Sequence, residues 1–472
     1  MYNMDPDRAK RRQSLKIIIS ETIMVISVIF TVVVLAFLVS GYWINSDFKV
    51  ERQGLLQISS IPTGADVDID GDSSWLQRTN TSKVLSAGEH TITLTKDGYD
   101  SWFRTINISE GLLYRLHYPR LFLQDSTPEE VLDTSNYSFR SFSPDGSRLL
   151  LVNGLISWQL VELGDHVVKT TPIDVSALFY SFTARVPEAI TSGDILSLDW
   201  DQDNSRVLVS MQLGNITEWV LIDIRDADKS INLTEAFERD FSQVQILDHS
   251  ANNLLAIANG NLYKIDVSGH SLSSALVQGA VNYSHYDTNE VVFSAVDTEG
   301  VSTPSYYIGT IKLSGSDTTK LLDVSTPAQA IVTRFYDDKY LTILQDDTVS
   351  LYTYDTLNKK SDYDLGFTPA TIEAGHDGEF VTMRAGSQIA TLDMEAESVT
   401  EWSVDSAQFG WIGSDMIYAI DDHGELIVYD FDGLNRRIIA YGVTPGSPAT
   451  ITADKWLYYF DNGHLMRKAT AN

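Results

Sequence analysis

The apolar positions of this chain fall into three patterns, and the first is continuous. From Thr22 to Ile44 there is no charged residue, and most positions are Ile, Val, Leu, Phe or Met. A helix over that span, at about 1.5 Å rise per residue, is about 34 Å long and matches a hydrocarbon core of about 30 Å. Arg8, Lys10, Arg11, Arg12 and Lys16 precede it, and Tyr42 and Trp43 close it. Basic residues mark a cytoplasmic flank, and Tyr and Trp favour the membrane interface. The pattern predicts a cytoplasmic tail over 1–16, one transmembrane helix over 17–44, and everything after Asn45 on the outer side. A cleaved signal peptide is the competing reading. Its apolar region normally spans only about 7–15 residues, and Val39-Ser40-Gly41 is a poor cleavage site.

The second pattern is alternation, from Leu55 to about Pro119, as in half-buried strands. Leu56-Gln57-Ile58-Ser59-Ser60, Val67-Asp68-Ile69-Asp70, Thr91-Ile92-Thr93-Leu94-Thr95, Phe103 to Ile108 and Leu112-Leu113-Tyr114-Arg115-Leu116 are the predicted strands. Asp70-Gly71 is a hairpin turn signal. Four short motifs lie in order here: Pro62-Thr63-Gly64-Ala65, Val67-Asp68-Ile69-Asp70-Gly71, Leu85-Ser86-Ala87-Gly88-Glu89-His90 and Lys96-Asp97-Gly98-Tyr99. The stretch resembles the PEGA domain, a small β-sandwich of cell-envelope proteins; Thr63 stands where the name-giving motif has Glu. The family's Gly-x-x-Pro element is missing, so 72–83 receives no element. The resemblance implies a β-sandwich over 45–119 acting as a spacer or wall-associated module. Residues 120–136 then form a linker, and Ser126-Thr127-Pro128-Glu129-Glu130 predicts at most a short turn of helix.

The third pattern is a repeat that runs from Tyr137 to the end. Phe142-Ser143-Pro144-Asp145-Gly146-Ser147-Arg148-Leu149-Leu150-Leu151-Val152 aligns without a gap on Trp200-Asp201-Gln202-Asp203-Asn204-Ser205-Arg206-Val207-Leu208-Val209. Looser copies place turns near 250, 287, 337, 377, 413 and 454, for a mean period of about 44 residues. Four-stranded propeller blades have a period of roughly 40–45. The final unit runs out before a fourth strand, so a strand near 120–124 or 130–133 is expected to complete it. Ser143-Pro144-Asp145-Gly146 resembles the hallmark of the TolB and YVTN-like propeller repeats. The expected fold is an all-β ectodomain on a single N-terminal transmembrane helix. It combines a small PEGA-like β-sandwich with a C-terminal β-propeller over 137–472, of eight blades or alternatively seven.

Charge narrows the partners. The 472 residues carry a net charge of −30. Residues 1–16 hold five basic and two acidic side chains, which leaves −33 on the remainder. So acidic a surface repels nucleic acid. There is no Cys, which excludes disulfides and cysteine metal sites.

Candidate chemistry is sparse. Asp199, Asp201 and Asp203 alternate like the start of a calcium loop, but the loop's Gly and final Glu are Asn204 and Ser210 here. The other reading is a polar turn, as at Ser143–Asp145. His249, His285 and His376 fall near equivalent turns of three repeats, and a propeller brings such turns to one face. Polar turn residues are again the simpler account. No G-x-S-x-G, H-E-x-x-H, P-loop or dinucleotide fingerprint occurs. Trp158, Trp200, Trp219, Trp402, Trp411 and Trp456 either fill the space between blades or stack on a ligand. No catalytic, cofactor-binding or metal residue is assigned, and no cofactor is expected. The expected function is a membrane-anchored binding or scaffold protein of the cell envelope, whose propeller engages a protein or glycan. The alternative is an extracytoplasmic hydrolase or lyase with its site in the propeller channel.

Overall fold

The computed structural model describes residues 20–33, 35, 42–44, 50–154, 157–164, 168–175, 178, 195–213, 216–297, 305–314, 318–375, 378–404, 406, 409–413, 415–452 and 455–471. The chain divides into two compact units, Met1–Gln124 and Asp125–Asn472.

The expected membrane anchor fails. The apolar helix covers 20–33, only about 21 Å at 1.5 Å per residue. Among the described residues no helix is long and apolar enough to cross a membrane. Tyr42–Ile44, expected to end the helix at an interface, instead form a strand antiparallel to Val50–Ile58, with Tyr42 opposite Arg52 and Ile44 opposite Val50. Their backbone groups are committed to that ladder, so a helix cannot run through to Ile44. The single-pass location and the orientation deduced from it fall with the anchor. The basic flank from Arg8 to Lys16 lies outside the described residues.

The first unit holds two four-stranded sheets. One pairs Val50–Ile58 with Tyr42–Ile44, Thr81–Ser86 and Leu113–Leu116; the other runs Asp72–Arg78, Asp66–Ile69, Gly88–Thr95, Trp102–Ile108. Alternation explains the burial. Trp102, Arg104, Ile106 and Ile108 point inward while Phe103, Thr105 and Asn107 face out, and Leu56, Ile58, Ile92, Leu94 and Leu116 complete the core. The sheets touch at Gly54, where an added Cβ would lie 2.4 Å from Ile108 Cγ2. Asp70 and Gly71 have φ of 56° and 83°, the paired positive angles of a type I′ hairpin. Asp70 also binds the motif that follows. Its carboxylate lies 2.6 Å from His90 Nδ1 and accepts from Thr91 N at 2.8 Å, while His90 Nε2 meets the Ser86 carbonyl at 2.9 Å. The His90 contact, more than the backbone one, holds the Asp70 carboxyl below its ordinary range. Two strands fall where no element was predicted, Asp72–Arg78 and Thr81–Ser86. The burial of Thr81–Ser86 alternates, but its inward positions hold Thr81, Lys83 and Leu85 while Val84 faces out, so its hydropathy does not alternate; its pairing with Val50–Ile58 forms it. That long strand also pairs in parallel with Leu113–Leu116, in a sheet otherwise antiparallel.

Among the described residues the second unit contains eight successive sheets, numbered 1 to 8: 139–173, 195–232, 243–278, 280–324, 329–364, 371–403, 409–440, and 450–469 with Glu129–Asp133. Each has four strands, except that sheet 3 ends in two short pieces, Ser271–Leu272 and Val277–Gln278, both paired with Asn261–Asp266. Six of the eight repeat turns read from the sequence fall between the first and second strands of these sheets, and those near 377 and 454 lie outside the described residues.

The second strands explain the apolar runs, because they are covered on both faces. In Arg148–Asn153, Leu150 and Val152 pack on Val207 and Val209 of sheet 2, while Leu149 and Leu151 pack on Tyr458 and Phe460 of sheet 8. Equivalent seams join sheet 2 to 3 through Leu221 and Leu254, 3 to 4 through Leu255 and Phe293, and 4 to 5 through Val292 and Leu341. Sheet 5 meets 6 through Leu351 and Val381, and 6 meets 7 through Ile389 and Ile417. Between 7 and 8, Thr444 N donates to the Phe460 carbonyl at 2.7 Å and Lys468 Nζ to the Ile439 carbonyl at 2.9 Å. Each sheet thus packs on the next and the last on the first. This is a β-propeller.

One position links several blades. The first residue of the second strand reaches forward to the next sheet. Arg148 donates to the Asn204 carbonyl. Arg206 Nη1 donates to Asn252 Oδ1 at 2.8 Å and the Ser250 carbonyl at 3.2 Å. Glu290 accepts from Tyr354 at 2.6 Å and Lys339 at 2.9 Å. Phe380 stacks on Phe431, with ring centroids 3.7 Å apart.

The ring closes with an N-terminal strand. Glu129–Asp133 pairs antiparallel with His464–Ala469, with Leu132 opposite Leu465. Thr134 N and Oγ1 both donate to the Gly463 carbonyl at 2.7 Å. His464 Nδ1 lies 3.0 Å from Glu130 Oε1, and Arg467 binds Glu129. The helix turn expected at Ser126–Glu130 is absent, since the ladder takes the backbone groups a helix needs. Residues 120–124, the other candidate for closure, belong to the first unit.

Candidate binding cleft

The first strands of the sheets stand side by side at the inner end of the blades. Trp200 Nε1 donates to Ser141 Oγ at 3.0 Å, Asn282 Nδ2 to the Ala328 carbonyl at 3.1 Å and Gln329 Nε2 to the Ala370 carbonyl at 2.8 Å. The inner strands Phe409–Trp411 of sheet 7 and Thr450–Thr452 of sheet 8 lie near Phe139–Phe142 of sheet 1. A cleft of about 500 Å³ lies there. Phe139, Phe142, Trp411 and Ile451 supply its apolar lining, and Arg140, Ser141 and Thr450 its polar lining. Gly410 keeps the strand free of a side chain where a Cβ would stand 3.1 Å from the Tyr418 ring.

Among the described residues Arg140 is the only charged one lining the cleft. Its guanidinium carbon sits 4.9 Å from the Phe460 ring centroid, and Nη2 donates to the Thr134 carbonyl at 3.2 Å. Nε is buried and has no partner among the described residues. Burial lowers its pKa from the ordinary arginine value, because desolvation disfavours the charged form. The hydroxyls nearby are engaged. Ser141 Oγ accepts from Trp200, while Ser143 Oγ donates to Asp145 Oδ1 at 2.7 Å and accepts from Arg148 N at 3.0 Å.

The acids of the calcium-like stretch do not converge. Asp201 is buried, and its carboxylate accepts from Ser205 N, Ser205 Oγ and Arg206 N at 2.6, 2.7 and 2.9 Å. It pins the turn as Ser143 does in sheet 1. Asp203 is exposed, and its backbone N donates to the His249 carbonyl at 3.0 Å. Asp199 lies one residue from the end of the inner strand Ile195–Trp200 in contact with water, yet the strands around it desolvate the carboxyl and push its pKa up. Among the described residues no group of three or more His, Asp or Glu side chains is placed to hold a metal ion.

His249 is exposed in the sheet 3 turn. His285 ends the inner strand of sheet 4, half-buried, and desolvation lowers its pKa against the opposing effect of Asp287. His376 lies outside the described residues. The tryptophans divide. Trp158 and Trp219 are buried between blades, Trp402 packs on Tyr429, Trp456 lies under Arg467, and Trp200 braces Ser141. Trp411 alone of the six lines the cleft. Arg140 was not singled out in the sequence. Phe139-Arg140-Ser141-Phe142 gives no local sign that strands some 270 and 310 residues later fold against it.

With both units described, the likenesses to known proteins can be placed. Residues 53–119 match the PEGA domain. The motifs bound by Asp70 and His90 lie inside this PEGA domain, and the match ends before the propeller begins. No curated protein matches the chain. Solved structures with similarity include the tricorn protease, at TM-score 0.40 and 10% identity over 74% of this chain and 38% of that one. The dihydro-heme d1 dehydrogenase NirN follows at 0.41 and 12%, over 64% and 65%. PorZ, a surface component of the type-IX secretion system of Porphyromonas gingivalis, stands at 0.40 and 14%, over 70% and 42%. The chain thus spans less than two thirds of each of these proteins, and likeness at this level carries no argument about activity.

Proposed function

We propose that the chain is a binding protein of the cell envelope, with the PEGA domain as the spacer or wall-associated module and the propeller as the partner-binding element. The observation that carries this reading is the cleft at sheets 7, 8 and 1, an aromatic-lined gap in a rigid ring. Apolar pockets with a few fixed polar groups are the usual form of a recognition site. The partner is a protein or a glycan of the envelope. The net charge of −30 disfavours nucleic acid. The test is capture from envelope extracts by the purified full chain, with bound protein and glycan both read out. Trp411→Ala is expected to lose the captured partner while keeping the native circular dichroism spectrum. Capture undiminished by that change contradicts the reading.

One observation favours a second reading, a hydrolase or lyase acting in the channel. Asp199 stands solvent-exposed on an inner strand, and desolvation by its neighbours pushes its pKa up, the direction a general acid requires. Turnover of a glycan or ester substrate by the purified chain, abolished by Asp199→Asn, would establish it.

A further inference from the structure

Arg140 poses a problem of charge. The chain carries −30, yet among the described residues no acidic side chain lines the cleft. Among the described residues Arg140 has one hydrogen bond, to a neutral carbonyl, and one aromatic contact. Its buried Nε has no acceptor. A buried donor left unpaired costs more than an ordinary hydrogen bond returns, and a half-exposed guanidinium with no acid beside it among the described residues is free to meet an anionic ligand.

The rest of the lining says what carries that charge. Phe139, Phe142, Trp411 and Ile451 form the apolar wall. The Ser141 and Ser143 hydroxyls are already bonded within the protein, which leaves little to match the hydroxyls of a sugar. An anion joined to an apolar or aromatic group fits both halves. A planar guanidinium suits a carboxylate best. We propose that the cleft recognises a carboxylate borne on an apolar or aromatic group, with Arg140 facing the carboxylate and Trp411 the apolar part. Two sources share that chemistry: the C-terminal residue of a polypeptide and a free small acid. The proposal rests on the reading of the cleft as a binding site and adds the class of ligand.

Calorimetry with the full chain tests it. Four probes serve: N-acetyl-phenylalanine, its amide, a hexapeptide ending in phenylalanine with a free carboxylate, and the same peptide amidated. At least one acid is expected to bind about tenfold or more tighter than its amide, the range of a charge-assisted contact. Equal affinity for both acids assigns a small acid; a tenfold advantage for the peptide acid assigns a polypeptide C-terminus. Arg140→Gln is expected to erase the preference for acid over amide, and Trp411→Ala to weaken both acid and amide. The acid–amide comparison on the unaltered protein needs no variant, so a folding defect in Arg140→Gln does not shield the proposal. Equal binding of acid and amide, or binding of none of the four probes, overturns it. If Trp411-dependent partner capture persists in that case, the binding reading stands and only the carboxylate assignment is lost.

Discussion

Arg206 shows how one side chain serves two structures at once. It bonds forward to the sheet 3 turn and, in its own sheet, contacts Asp223 at 3.2 Å. Asp223 also receives Arg225 at 2.8 Å. Burial alone would raise the Asp223 pKa, but the bonds from Arg225 and Arg206 outweigh it and hold it at about 2. Arg206→Ala is expected to cost about 1–3 kcal/mol, because it leaves a buried carboxylate with fewer donors. Chemical denaturation checks this. The sign of the pH effect follows from the lowered pKa. Stability from this carboxylate is complete above its unfolded value near 4 and is lost as pH falls towards 2, by about 2 kcal/mol in all. Asp223→Asn should flatten that part of the pH–stability curve. An unchanged slope between pH 4 and 2 would show that Asp223 is not the titrating group.

At the scale of elements, what could be read in advance depended on burial. The second strands of the blades are covered on both faces, so Leu149-Leu150-Leu151-Val152 and Val207-Leu208-Val209 stand out as runs. The turns before them are equally visible, because Asp145 and Asp201 hold them with side-chain bonds. Thr81–Ser86 was invisible because pairing, not patterning, makes it a strand. The apolar run at 22–44 misled for the opposite reason. Composition allowed a long helix, but Tyr42–Ile44 pair in a sheet. The cleft was illegible because no segment contains it; its walls come from three inner strands distant in sequence. Closure by Glu129–Asp133 is the element with the largest mechanical consequence. Deleting 129–133 exposes the edge of His464–Ala469 and uncovers Leu465, leaving unpaired backbone groups on one blade. The expected result is a loss of several kcal/mol in stability, seen as a lower and broader thermal transition. An unchanged transition would mean that the ring does not depend on this strand.

The whole molecule joins a PEGA domain to a propeller with a cleft at sheets 7, 8 and 1. Rigidity is the useful property: each blade is locked to its neighbours by buried seams, so the cleft is held open without help from a ligand. Preorganisation of that kind favours binding, since little ordering remains to be done when a partner arrives. If the partner sits in the cleft, hydrogen–deuterium exchange of the full chain, alone and with its captured partner, will show added protection concentrated at 139–144, 411–413 and 448–451, with the outer strands of sheets 3 to 5 unchanged. Protection on those outer strands, with none at the cleft, would contradict it.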